Sequence, residues 1–187
     1  MPVQRLNHAV LYVRDVAQTS AFYRDVLGFR TVIELAGGAA FLQAPGSTND
    51  HDLGLFQMGA GAGASTAGRS TVGLYHLAWE VDTLAELARL SGLLSERGAL
   101  KGASDHGTTK ALYATDPDGI EFEVSWLVPA EHIADDDVGA VGARPLDIAK
   151  EMARYPPTRW VASASPSPPP PEPEPQHGRL RSGRPSK

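Results

Sequence analysis

Two stretches of this chain are built to the same design. Leu6-Asn7-His8-Ala9-Val10-Leu11-Tyr12-Val13 is an apolar, β-branched and aromatic run interrupted by one histidine, and Asp15 follows it. Gly73-Leu74-Tyr75-His76-Leu77-Ala78-Trp79-Glu80-Val81 repeats the pattern with His76 standing 68 residues after His8, and Asp82 follows. Each run reads as a strand, and each aspartate can cap a helix. Self-similarity at a fixed offset marks a supersecondary unit that cannot bury its hydrophobic face alone. The repeat therefore constrains the fold more than any single motif does.

The rest of each unit is legible in order. After Asp15 a helix is expected over 16–27, with Val16, Ser20, Tyr23 and Leu27 on one face and Gly28 at the stop position. Strands are expected over 30–34, 39–43 and 51–58, separated by Gly37-Gly38 and Pro45-Gly46. The second unit repeats this: Asp82 as cap, a helix over 83–97, Gly98, and strands over 100–103, 109–114 and 120–126. Its last turn is Asp116-Pro117-Asp118-Gly119. The expected class is α+β, two tandem βαβββ modules closing into one barrel-like cleft, since a lone four-stranded module leaves edges and one face uncovered.

The modules span 3–58 and 71–128, and the Gly/Ala run over 59–70 is a flexible linker by composition. An extension over 129–160 holds a possible short helix at 145–155. Residues 161–187 form a Ser/Pro-rich tail whose composition cannot order itself, so a disordered end is expected there.

Composition removes several function classes. With no cysteine there is no disulfide framework and no thiolate metal site, so a metal would need His, Asp, Glu or Tyr. The net charge of −5 includes a basic tail, Arg179, Arg181, Arg184 and Lys187 against Glu172 and Glu174, which leaves the body more acidic still. An acidic body argues against nucleic acid as a partner. No apolar run approaches membrane-spanning length and no signal-peptide pattern opens the chain, so a cytoplasmic address without membrane association is the expectation.

The chemistry concentrates in one hairpin, from His106 to Glu123. Strand alternation puts Glu121, Glu123 and Ser125 on one face and Phe122, Val124 and Trp126 on the other. A polar face inside a small barrel calls for a reason. Two imidazoles at matching points of a repeat, with one carboxylate, make a two-histidine, one-carboxylate triad that leaves positions open on a metal and suits Fe(II). His8, His76 and Glu123 are the expected metal ligands. A strand histidine taken singly is more often a satisfied core or surface residue; the three taken together are better explained as ligands.

The βαβββ duplication with these ligands resembles the vicinal oxygen chelate superfamily, which includes glyoxalases, epimerases, antibiotic-resistance proteins and extradiol ring-cleaving dioxygenases. The fold does not choose among them. His106, Leu112-Tyr113, Asp116-Pro117, Gly119 and Glu123 are similar in spacing to the type I extradiol dioxygenase signature, with a departure at Ser104, where that pattern has Gly, Asn, Thr, Ile or Val. Asp50-His51-Asp52-Leu53-Gly54-Leu55-Phe56 resembles the strand that carries the family's acid/base histidine. The resemblance covers about 3–128 and is greatest to the short two-module extradiol enzymes. It implies Fe(II), with Mn(II) as the alternative metal, a catechol-type substrate, O2, and His51, His106 and Tyr113 as catalytic residues. It also implies a homo-oligomer. Phe41, Phe56, Trp79 and Trp126 are the expected apolar lining. Competing readings are a glyoxalase-like isomerase or lyase and an aromatic-antibiotic-binding protein on the same scaffold.

Overall fold

The structure is a computed structural model of the chain, and it describes residues 2–65, 67, 70–134, 137 and 142–155. The expected tail over 161–187 lies outside the described residues.

Both modules form with the expected connectivity. In the first, β1 (Ala9–Val13) leads into α1 (Val16–Leu27), and β2 (Arg30–Leu35), β3 (Ala39–Gln43) and β4 (Leu53–Gln57) follow. The second repeats this as β5 (Leu77–Glu80), α2 (Leu84–Glu96), β6 (Leu100–Asp105), β7 (Thr109–Thr115) and β8 (Glu121–Leu127). The sheet orders are β1-β4-β3-β2 and β5-β8-β7-β6, the latter extended by a two-residue strand β9 (Arg144–Pro145). In each module the first strand pairs in parallel with the fourth, which is what a crossover connection through the helix permits.

Local chemistry accounts for the helices. Asp15 accepts a hydrogen bond from the Gln18 N–H at 3.0 Å, and Gly28 ends α1 with φ 76°, a left-handed backbone favourable to glycine. The second cap is Thr83 rather than Asp82: its hydroxyl accepts from the Glu86 N–H at 3.1 Å. Leu84, Leu87, Leu90 and Leu94 then fall on one buried stripe. The expected helix at 145–155 is narrower, α3 (Ile148–Arg154), because Arg144 and Pro145 pair with β6 first.

One hydrophobic core spans both modules. Phe22 on α1 meets Phe122 on β8 edge to face at 6.0 Å, and Phe29 meets Trp79 on β5 at 5.1 Å. Arg14, just after β1, reaches across to Asp118 in the β7–β8 turn at 2.9 Å. The two sheets do not join into one closed barrel. The outer face of the first sheet, away from α1, stays open: Val10, Tyr12, Ile33, Leu35 and Phe56 lie there in register with one another and are all exposed. A cavity of about 690 Å³ runs along β1 between the modules, bounded by Tyr12, Met58, Leu74, Tyr75 and Asp118 among others.

Candidate active site

The hairpin brings several polar side chains together on one face. Tyr113 on β7 sits opposite Glu123 on β8, and Glu123 sits beside Ala78 on β5. His76 immediately precedes β5, so its ring reaches the same face, with Nε2 3.2 Å from Glu123 Oε2. Ser125, two residues on, donates its hydroxyl to Glu123 Oε1. His106, at the start of the β6–β7 turn, places Nε2 2.9 Å from the Tyr113 hydroxyl oxygen. Tyr75 packs on the His76 ring at 4.6 Å. Burial, then the charge of Glu123 and the neighbouring Tyr75, push the Tyr113 phenol above its ordinary value. Tyr113 is therefore a protonated hydrogen-bond donor at any physiological pH.

A second group lies on the first module. His8, one residue before β1, lies against His51 with the rings tilted and their centroids 4.5 Å apart, and Phe41 on β3 contacts His51 edge to face at 5.0 Å. Asp50 Oδ1 lies 3.2 Å from His51 Nδ1. Both module-opening histidines thus stand just ahead of their strands rather than inside them. Of the expected apolar lining, Phe41 and Phe56 belong to this open face, whereas Trp79 packs against Phe29 and Trp126 is buried against Tyr155.

The expected ligands therefore fall into two sets, His8 with His51 and His76 with Glu123. Among the described residues no three His, Asp or Glu side chains come close enough to hold one ion. The pair that does meet fits a metal: ligand atoms about 3 Å apart are what two adjacent bonds of about 2.1 Å at right angles require, and the His76–Glu123 separation is 3.2 Å. Register adds an asymmetry the sequence did not reveal. Val10 pairs with Gly54 as Ala78 pairs with Glu123, so glycine occupies in the first module the place of the carboxylate in the second. A Cβ at Gly54 would lie 3.4 Å from Val10 and 3.5 Å from the Phe41 ring, in ordinary van der Waals contact with both.

Comparison with known proteins agrees with this architecture. A family model described as Glyoxalase/Bleomycin resistance protein/Dioxygenase superfamily matches residues 5–124. The chain is 32% identical over 119 residues to "Catechol-2,3-dioxygenase" of Bacillus subtilis, covering 64% of this chain but only 40% of that protein's length. It is 31% identical over 134 residues to "Biphenyl-2,3-diol 1,2-dioxygenase 3" of Rhodococcus globerulus, covering 70% of this chain and 68% of that one. In fold it is similar to a glyoxylase/bleomycin resistance protein/dioxygenase domain from Frankia sp. EAN1pec, with TM-score 0.59 and 21% identity over 71% of this chain and 98% of the other.

Proposed function

The chain belongs to the Glyoxalase/Bleomycin resistance protein/Dioxygenase superfamily, and from that premise we propose that it is an Fe(II)-dependent extradiol dioxygenase that opens the ring of a catechol-type substrate with O2. The observation that carries the reading is the His106–Tyr113 pair beside the His76–Glu123 pair. Isomerase chemistry on this scaffold needs a metal and a base, but it does not need two further donors beside the metal position. The names of the two relatives point the same way.

His76 and Glu123 would hold the metal with a second imidazole, His8. Bound there, Fe(II) would supply Lewis acidity toward the catechol and electrons toward O2. The protein does the rest. His51 accepts the second hydroxyl proton and later returns it, with Asp50 orienting its ring through Nδ1. Tyr113 and His106 donate to the oxygen that becomes negatively charged. Phe41 gives the substrate ring an apolar wall.

His8 is missing from the second-module set, and two copies of the chain supply it most economically: His8 and His51 of one subunit complete His76, Glu123, His106 and Tyr113 of the other. The open apolar face around Val10, Tyr12 and Phe56 supports this, because exposed contiguous apolar surface marks an interface. A homodimer then carries two sites. The working environment is the cytoplasm, where Fe(II) stays reduced; among the described residues no helix is long and apolar enough to cross a membrane.

The test is Fe(II) reconstitution without air, followed by O2 uptake with a panel of catechols and iron analysis of the same sample. Glu123→Ala should lose both iron and ring cleavage; cleavage at wild-type iron content would refute the ligand assignment. Co-expression of His8→Ala with Glu123→Ala tests the composite site. Random pairing restores about one quarter of the sites if they lie across two copies, and none if each chain builds its own.

A further inference from the structure

Among the described residues the most deeply buried charged side chain has no part in the proposed mechanism. Lys110 has no solvent exposure. It lies on β7, where alternation sends Ala111 and Tyr113 toward the site and Lys110, Leu112 and Ala114 toward the core behind the sheet. A buried ammonium is costly unless its surroundings neutralise it, and Leu or Met would pack at that position without the cost. The position of Lys110 therefore calls for a role beyond packing.

Its contacts indicate that role. Nζ lies 2.5 Å from Asp105 Oδ1 and donates to the Gly107 carbonyl at 3.0 Å. Asp105 Oδ1 also accepts the Gly107 N–H at 2.8 Å. Asp105 and Gly107 are the residues on either side of His106, so one ammonium ties both neighbours of that histidine from behind the sheet. The His106 N–H is fixed in turn to the Thr109 carbonyl at 2.9 Å, and Gly107 adopts φ 80° to close the turn. The ring left free by these constraints points to the Tyr113 hydroxyl.

The second carboxylate on Lys110 comes from outside the modules. Glu151, buried on α3, places Oε2 3.1 Å from Nζ, and Arg144 on β9 reaches Asp105 Oδ2 at 3.0 Å. Burial pushes the Asp105 carboxyl up, but Lys110, the Gly107 N–H and Arg144 outweigh it and hold the group below its usual range. The C-terminal extension thus closes onto the back of the hairpin through charge as well as through Tyr155 on Trp126.

We propose that Lys110, clamped between Asp105 and Glu151, is a positioning residue for His106, and that the extension carrying Glu151 sets the imidazole against Tyr113. The role of His106 as a donor to substrate rests on the ring-cleavage reading; the clamp itself does not. Two readouts keep them apart. The first is the ring 15N spectrum of His106 in histidine-labelled protein without metal or substrate. The second is a kinetic cycle.

The variant is Lys110→Met with Glu151→Gln, which removes the ammonium together with one of its buried partner charges. The His106 ring signals should shift and broaden as the fixed tautomer gives way to averaging, while those of His8 and His51 on the first module stay in place. In the iron-loaded enzyme kcat should fall roughly 10-fold to 100-fold with KM and iron content within about twofold, and the same change made in a His106→Gln background should cost nothing further. Unmoved His106 signals in a folded double variant would overturn the proposal even if the protein cleaves no catechol. Additive losses in the cycle would reduce Lys110 to an anchor for the extension. If the double variant does not fold, Glu151→Gln alone is read by the same spectrum, where a smaller shift of the His106 signals supports the clamp and an unchanged spectrum refutes it.

Discussion

Asp116 opens the turn that delivers Glu123, and its ionisation should govern how stability depends on pH. The residue is 5% exposed. Oδ1 accepts the N–H groups of Asp118 and Ile120, each at 2.9 Å, while Oδ2 is buried without a partner. Burial raises the carboxyl by more than those N–H groups lower it, and the charge of Asp118 adds to the rise, taking it from 3.8 to about 6. The folded state thus binds this proton more tightly than the unfolded state. The stability so contributed is present in full below the unfolded value and is lost as pH rises through about 6. At 1.36 kcal/mol per tenfold the whole effect is about 3 kcal/mol, of which about 2 kcal/mol falls between about pH 4.5 and about pH 7.5.

Asp116→Asn removes the charge and keeps the Oδ1 acceptor. Its new amide N–H lacks an evident partner, and that cost does not depend on pH. The decisive quantity is therefore the difference between variant and wild type at the two pH values. Urea unfolding should show Asp116→Asn gaining about 2 kcal/mol on wild type from the lower pH to the higher, or roughly 4–8 °C in thermal midpoint for a chain of this size. Parallel stability curves would refute the assignment of the raised carboxyl to Asp116.

Two further predictions test the junction and the base. Phe22 is 8% exposed and packs on Phe122 and Tyr23, so Phe22→Ala should cost about 3–4 kcal/mol by urea midpoint, and a loss under about 1 kcal/mol would mean that α1 does not seat on the second sheet. His51→Gln should retain iron and bind catechol but lower kcat by about 10²–10⁴, and an unchanged rate would remove His51 from the proton-transfer role.

The repeat, the first helix cap and the convergence of the hairpin could be read from the sequence because each is local. Asp15 and Gly28 act within one helix, and Tyr113 opposite Glu123 follows from a short turn and a period of two. What escaped the sequence depends on distant partners. Asp82 and Thr83 are both competent caps, and only the helix start decides between them. Trp126 reads as cleft lining until Tyr155 covers it. Lys110 reads as an ordinary strand lysine, because its reason for burial is Glu151, 41 residues away on an element that the repeat does not include.

The same distinction explains why the metal set looked complete in one dimension and divides into two in three. Equivalent positions in a repeat are related by a pseudo-twofold, which places each histidine at the same point of its own sheet and says nothing of which sheets face each other. The register shows how far the two copies have diverged: Gly54 against Glu123, an apolar open face against one bearing Tyr113, Ser125 and a carboxylate. A symmetric ancestor would present two equal half-sites. Here the first module carries an imidazole pair and an apolar wall, while the second carries the carboxylate with Tyr113 and His106, and the proposed centre takes one of each. Within the chain α1 and the aromatic contacts of Phe22 and Phe29 occupy the junction between the modules, and the proposal joins the two half-sites through a second subunit. Restored activity from His8→Ala and Glu123→Ala together, each inactive alone, would follow from that division and from no arrangement in which each chain builds its own site.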